Sequence, residues 1–201
     1  MSLLEVDDIH SYYEESHVLQ GVSLSVEADE TVALIGRNGV GKTTTLRSIL
    51  QLTPPRRGTV TYDGVDVTGR PTHEVARMGV GWVPEERRMF SHLTVDETLR
   101  IATPPGGSVE AAFETAYDAF PDLRDHRGRE TGDLSGGQQQ MVAIARGLVG
   151  DNDLLLVEQN FPLAMDLADR FYLLDHGTVV ESGSTSDVSR DDEVIRRYLS
   201  A

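Results

Sequence analysis

The sequence predicts an α/β fold: a strand–loop–helix core, an antiparallel β edge and a small helical insertion over about 87–146. Three observations carry this expectation. An apolar, strand-sized run at 31–35 enters the glycine-rich segment Gly36-Arg37-Asn38-Gly39-Val40-Gly41-Lys42-Thr43, and a helix-forming stretch follows it. Short segments with period-two alternation crowd the first thirty residues and recur at 58–64 and 79–83. From Val95 onward the apolar period becomes that of a helix. At 201 residues the chain is one domain by length, 1–201, and can bury a sizeable core.

The elements follow in order. Residues 3–6 and 21–26 alternate as strands about a polar turn at Glu14-Glu15-Ser16. The strand at 58–64 enters a turn at Asp63-Gly64, and Pro84 stops the one at 79–83. Val109, Ala112, Phe113, Ala116 and Phe120 recur at helical spacing, so both phenylalanines belong to a core. A polar stretch at 125–132 precedes a second helix from Ser135 through Met141, Ile144, Ala145 and Leu148. Residues 153–158 form a buried strand, 162–170 a short helix, and 171–182 a hairpin turning at Asp175-His176-Gly177-Thr178. A charged terminal helix is expected from Asp191.

The glycine-rich segment fits G-x-x-x-x-G-K-[ST] at every fixed position. Its glycines let backbone N–H groups turn inward around oxygen atoms, and the following helix presents its positive end. Lys42 is the single lysine of the chain, every other cation being arginine, and it stands where a point charge must reach β- and γ-phosphates. Thr43 offers the hydroxyl that such loops give to Mg²⁺, so the segment is a site for a nucleoside triphosphate.

Composition narrows the partners. The net charge of −15, without any basic stripe, argues against nucleic acid. An acidic, nearly lysine-free surface is expected of a protein adapted to a salt-rich cytoplasm, an ordinary acidic domain being the alternative. No apolar run is long enough to cross a bilayer, and no secretory leader is recognisable, so a cytoplasmic location is expected. With no cysteine there is no disulfide, thiolate site or cysteine nucleophile.

A second motif, Leu134-Ser135-Gly136-Gly137-Gln138, opens a helix. Serine and two glycines there form either an N-cap or a second anion-binding nest. Together the two motifs resemble the ATP-binding subunit of ABC transporters, most of all those serving branched-chain amino acid uptake. Val18-Leu19-Gln20-Gly21-Val22-Ser23-Leu24, Trp82-Val83-Pro84-Glu85, Arg87-Arg88-Met89-Phe90 and Val157-Glu158-Gln159-Asn160 extend the likeness along nearly the whole chain.

The resemblance implies a P-loop NTPase core of the ABC ATPase type, with ATP and Mg²⁺ as cofactors. It implies that Tyr13 stacks on adenine, although the residue alone reads equally as a packed tyrosine. Gly36, Arg37, Asn38, Gly39, Val40, Gly41, Lys42, Thr43 and Thr44 would hold the phosphates and the metal. Glu85 would sense metal and the membrane subunit, while Arg87, Arg88 and Phe90 would meet a transmembrane permease. Leu134 to Gln138 of one chain would close on ATP held by a second ATP-binding subunit, identical or related. The place is then the inner face of the cell membrane. A soluble ABC ATPase acting on nucleic acid or ribosomes is the weaker reading, given the charge.

One departure stands out. Relatives end an apolar strand after the signature helix in Asp-Glu, for water-mediated metal binding and water activation. Here those positions fall on Glu158 and Gln159, yet the same residues also match a later switch strand. One αβ unit of roughly thirty residues is therefore expected to be missing. Glutamine can orient water but cannot accept its proton, so ATP binding without ordinary hydrolysis is expected, and a nucleotide-binding remnant is the competing function.

Overall fold

A computed structural model of the protein describes residues 2–84, 89–150, 152–157 and 168–187. The chain divides into two compact units, residues 1–78 with 160–201, and residues 79–159.

In the first unit, β1 (Ser2–Tyr13) and β2 (Ser16–Glu27) form a long antiparallel hairpin. Adding β4 (Arg57–Tyr62) and β5 (Val65–Asp66) gives a sheet in the order β2-β1-β4-β5. The sequence shows only the first half of β1 because its alternation changes phase. Leu4 and Val6 are buried, then Ile9 and Ser11, with a register shift between Val6 and Ile9 and Asp8 at φ 47°. This is a β-bulge, which adds a residue and twists the strand. Gly58 lies against it, where a Cβ would meet the Asp8 carbonyl at 2.3 Å.

Strand β3 (Val32–Ile35) runs parallel to β8 (Arg170–Asp175), which pairs antiparallel with β9 (Thr178–Ser184). Phe171, Tyr172, Leu173 and Leu174 are all buried, as expected of a strand covered on both faces. Helix α1 (Lys42–Ile49) follows β3, and α2 (Thr72–Arg77), too short to show a period, was not legible in the sequence. The helix expected at 162–170 is corrected at its end, since Arg170 begins β8; residues 162–167 and the tail from Asp191 lie outside the described residues.

The entry to β8 is fixed electrostatically. Arg170 Nε donates to Glu30 Oε1 at 2.7 Å and Nη2 to Oε2 at 2.8 Å, while Nη2 also reaches the Ser25 carbonyl at 2.8 Å. The Arg170 guanidinium holds the Glu30 carboxyl below the ordinary glutamate value, helped by the Glu27 N–H against the opposing effect of burial. A lowered carboxyl stabilises the fold above its unfolded pKa and loses that contribution as pH falls through its folded value. Glu30→Gln should therefore cost about 2 kcal/mol at neutral pH, between the surface and buried limits for such pairs. Urea unfolding at pH 7 and pH 3 checks this: the difference from wild type should shrink in acid, and an equal difference at both would refute it.

In the second unit, β6 (Val80–Val83) and β7 (Leu154–Val157) form a parallel pair. Three helices carry its core: α3 (Val95–Ala102), α4 (Val109–Ala119) and α5 (Gly136–Leu148). Thr94 and Glu97 close a capping box at the start of α3. Val95, Leu99, Ala112, Ala116, Tyr117 and Val142 are among the core residues, with Phe113 and Phe120 packed at its border. Helix α5 runs through Leu148 as expected; Leu148 is 41% exposed and Val149 takes the buried position at the end of the helix. Tyr117 donates its hydroxyl proton to Asp96 Oδ1, and Arg127 binds Asp96 Oδ2 through Nε at 3.1 Å and Nη2 at 3.0 Å. That network ties α3, α4 and the segment before α5.

Among the described residues, β3 pairs only with β8 and β7 only with β6. Each parallel pair therefore has an edge at β3 or β7 to which no described strand is bonded.

Candidate functional site

The phosphate loop takes its shape from backbone that only glycine adopts easily. Gly36, Gly39 and Gly41 have φ of 145°, 85° and 117°, and Gly41 stands at the N-cap of α1 with no side chain capping the helix. Arg37, Asn38 and Gly39 are exposed, Val40 is half-buried and Gly41 is buried. The loop leans on the β8–β9 hairpin. Gly177 N–H donates to the Val40 carbonyl at 3.0 Å, and the Gly177 carbonyl accepts Gln20 N–H at 2.8 Å. Gly36 lies so close to the Leu174 carbonyl that a Cβ would meet that oxygen at 2.3 Å. This brace escaped sequence reasoning, whose only signal for it was the Asp175-His176-Gly177 turn.

Lys42 Nζ donates to the carbonyls of Gly36 at 2.7 Å and Arg37 at 2.8 Å. The ammonium thus already spans the loop that a phosphate would enter. Thr43 is half-buried in the first turn of α1, while Thr44 is buried behind it. Thr45 caps inward, its hydroxyl donating to the Gly41 carbonyl at 3.0 Å. Helix-end N–H groups, one ammonium and one hydroxyl suit a polyphosphate with its bound cation.

Tyr13 ends β1. Arg47 Nη1 donates to its hydroxyl at 3.5 Å. Burial pushes the Tyr13 hydroxyl up, but hydrogen bonds to Arg47, Thr53 and Thr44 outweigh it and leave the hydroxyl below the usual tyrosine value. The phenol is tied to α1 and the segment after it, while the residue as a whole is 40% exposed.

In the second unit, Leu134 is buried and anchors the signature turn, and Ser135 is the N-cap of α5. Ser135 Oγ accepts Gln138 N–H at 3.3 Å, and Ser135 N–H donates to Gln138 Oε1 at 3.0 Å, a reciprocal capping box. The cap reading is realised, and Gly136 and Gly137 are exposed at the helix end. A Cβ on Gly137 would meet nothing within 4 Å, and its φ is not positive. Among the described residues nothing crowds that position.

Phe90 is 57% exposed in the second unit. Glu85, Arg87, Arg88, Glu158 and Gln159 lie outside the described residues. Among the described residues no group of three or more acidic or histidine side chains could hold a metal ion. Thr43 is then the one described side chain of the expected metal set.

The family model "ABC transporter" matches residues 19–159. A probable branched-chain amino acid transport ATP-binding protein LivF from Archaeoglobus fulgidus is 31% identical over 221 residues, covering 92% of this chain and 94% of that protein. The high-affinity branched-chain amino acid transport ATP-binding protein BraG from Pseudomonas aeruginosa is 31% identical over 235 residues, covering 98% and 99%. The lipopolysaccharide export system ATP-binding protein LptB from Haemophilus influenzae is 29% identical over 238 residues, covering 99% and 98%. Among solved structures, a nucleotide-free ATP-binding cassette from an ABC transporter superposes with a TM-score of 0.76 at 24% identity, covering 100% of this chain and 96% of that one.

Proposed function

The chain belongs to the ABC transporter family, and from that premise we propose that it is the ATP-binding, energy-coupling subunit of an importer for branched-chain amino acids. The observation that carries this is the pair of half-sites in one chain, a cradle around Lys42 and a signature turn whose exposed Gly137 leaves room beside it. Two copies, or this chain and a related one, would each give the other a signature. The solute is inferred from the two relatives at 31% identity; a relative named for lipopolysaccharide export at 29% keeps the family role broader than that solute. Permease subunits would hold the pair at the inner face of the membrane. No described helix is long and apolar enough to cross one.

In this reading Lys42 and the first N–H groups of α1 hold the β- and γ-phosphates, Thr43 binds the accompanying Mg²⁺, and Tyr13 supports adenine. Mg²⁺, when bound, neutralises phosphate charge and orients the γ-phosphoryl group. Ser135 and Gly137 of the second subunit would complete the phosphate shell. Glu158 would stand on the metal side and Gln159 would orient, without deprotonating, the attacking water; Glu85 would sense the metal and the permease.

A second reading, a nucleotide-binding module that does not turn over, is favoured by specific observations. The alignments with relatives run to 235 and 238 residues although the whole chain has 201, so the relatives carry residues this chain lacks within the matched span. Within each unit, the edges at β3 and at β7 carry no described strand, which suits loss of one αβ unit. Glutamine in place of the catalytic carboxylate points the same way. A soluble ABC ATPase working on nucleic acid is disfavoured by the charge of −15.

Phosphate release by the purified chain in concentrated KCl, with Lys42→Ala as blank, separates the two. The expected result is ATP binding with turnover at or near that blank. Lys42-dependent turnover at an ordinary ATPase rate would establish a complete catalytic site and remove the second reading.

A further inference from the structure

We propose that His126 is a positioning residue for the signature turn, holding the Gln138 amide in its cap on Ser135 by accepting a hydrogen bond from the NH₂ end. Gln138 Nε2 lies 2.8 Å from His126 Nε2, and Gln138 Oε1 accepts Ser135 N–H at 3.0 Å. A carboxamide has an acceptor at one end and donors at the other. With Oε1 committed to an N–H, Nε2 must donate, so His126 Nε2 accepts and the ring carries its proton on Nδ1. Turning the amide over would set its NH₂ against Ser135 N–H, donor facing donor. The Ser135 N–H therefore sets the orientation of the amide, and the imidazole lone pair anchors the NH₂ end that this orientation presents.

His126 is well placed to impose this. It closes the 3₁₀ helix Pro121–His126, whose Leu123 is buried in the core of the second unit, and its carbonyl accepts Arg129 N–H at 2.8 Å. The ring is half-buried, whereas Ser135, Gly136 and Gly137 are exposed. A relay thus runs from a core-anchored backbone through an imidazole and an amide to the serine that caps α5. Its consequence is directional. Ser135 N–H and Gln138 N–H are consumed by the cap, leaving the N–H groups of Gly136 and Gly137 and the serine hydroxyl proton for whatever approaches the open face. Without His126 the Gln138 side chain is held at Ser135 N–H alone, and the cap that orders the turn is weakened.

The test uses the full chain and needs no nucleotide, so its result is independent of whether ATP is hydrolysed or the solute is correctly inferred. Amide hydrogen exchange at Ser135 is compared among wild type, His126→Leu and His126→Gln. Leucine removes the acceptor, while glutamine can return an oxygen to the place of Nε2. Exchange should quicken about fivefold in the leucine variant and return to within about twofold of wild type in the glutamine variant. A leucine variant that exchanges like wild type, or a glutamine variant that fails to restore protection, overturns the proposal. Imidazole nitrogen shifts of the wild-type chain at pH 8 provide a readout that needs no variant. They should report the Nδ1–H tautomer, and an Nε2–H ring would be decisive against it.

Discussion

Lys42→Ala should weaken ATP binding about a hundredfold while leaving the fold in place, since charge-assisted hydrogen bonds contribute about 1.5–3 kcal/mol each. The side chain is half-buried, and in the ligand-free loop it is bonded to two carbonyls, of Gly36 and Arg37. Those oxygens can turn to water when the ammonium is removed, so the loss falls on phosphate recognition. The single lysine of the chain has no neighbouring lysine to take over. Titration calorimetry with ATP and Mg²⁺ in concentrated KCl measures the effect, with thermal unfolding as the control for fold. Affinity within about threefold of wild type would mean that helix-end N–H groups alone carry the phosphates.

Gly36→Ala should have the larger effect on stability. The substitution meets two obstacles at once: φ of 145°, which L side chains rarely adopt, and the Leu174 carbonyl at 2.3 Å from the new Cβ. That oxygen belongs to a buried strand, so relief requires separating the loop from β8. Strain and overpacking together amount to about 3 kcal/mol, or a melting temperature lower by about 10 °C for a chain of this size. Gly39→Ala is the control. Its φ of 85° carries the backbone cost, but nothing lies within 4 Å, so about 1 kcal/mol is expected. Equal losses in the two variants would show that backbone conformation alone decides, and that the Leu174 contact is unimportant.

Both motifs were legible because each is local. Gly36 to Thr43 and Leu134 to Gln138 keep their glycines, cap and cation within a few residues, and the turns they predict are the turns observed. What escaped is long-range or breaks its own period. The brace of Gly177 against Val40 joins residues far apart in the chain. The bulge at Asp8 hid the second half of β1, because alternation that changes phase no longer reads as one strand. Leu148 follows the helical spacing yet is exposed, because the buried place at the end of α5 belongs to Val149. Tyr117 was passed over between Phe113 and Phe120, although its hydroxyl, not its ring alone, links α4 to Asp96. Residue type at one position does not reveal such a polar link across helices.

The brace also sets a timetable for synthesis. The phosphate loop is complete as sequence once Thr43 has been joined, yet its Gly36 and Val40 are held by Leu174 and Gly177. At roughly 5–20 residues per second, those later residues leave the ribosome on the order of ten seconds after the loop does. For that interval the nascent chain carries every residue of the cradle without the hairpin that shapes it. The braced form of the cradle therefore waits until synthesis has passed Gly177.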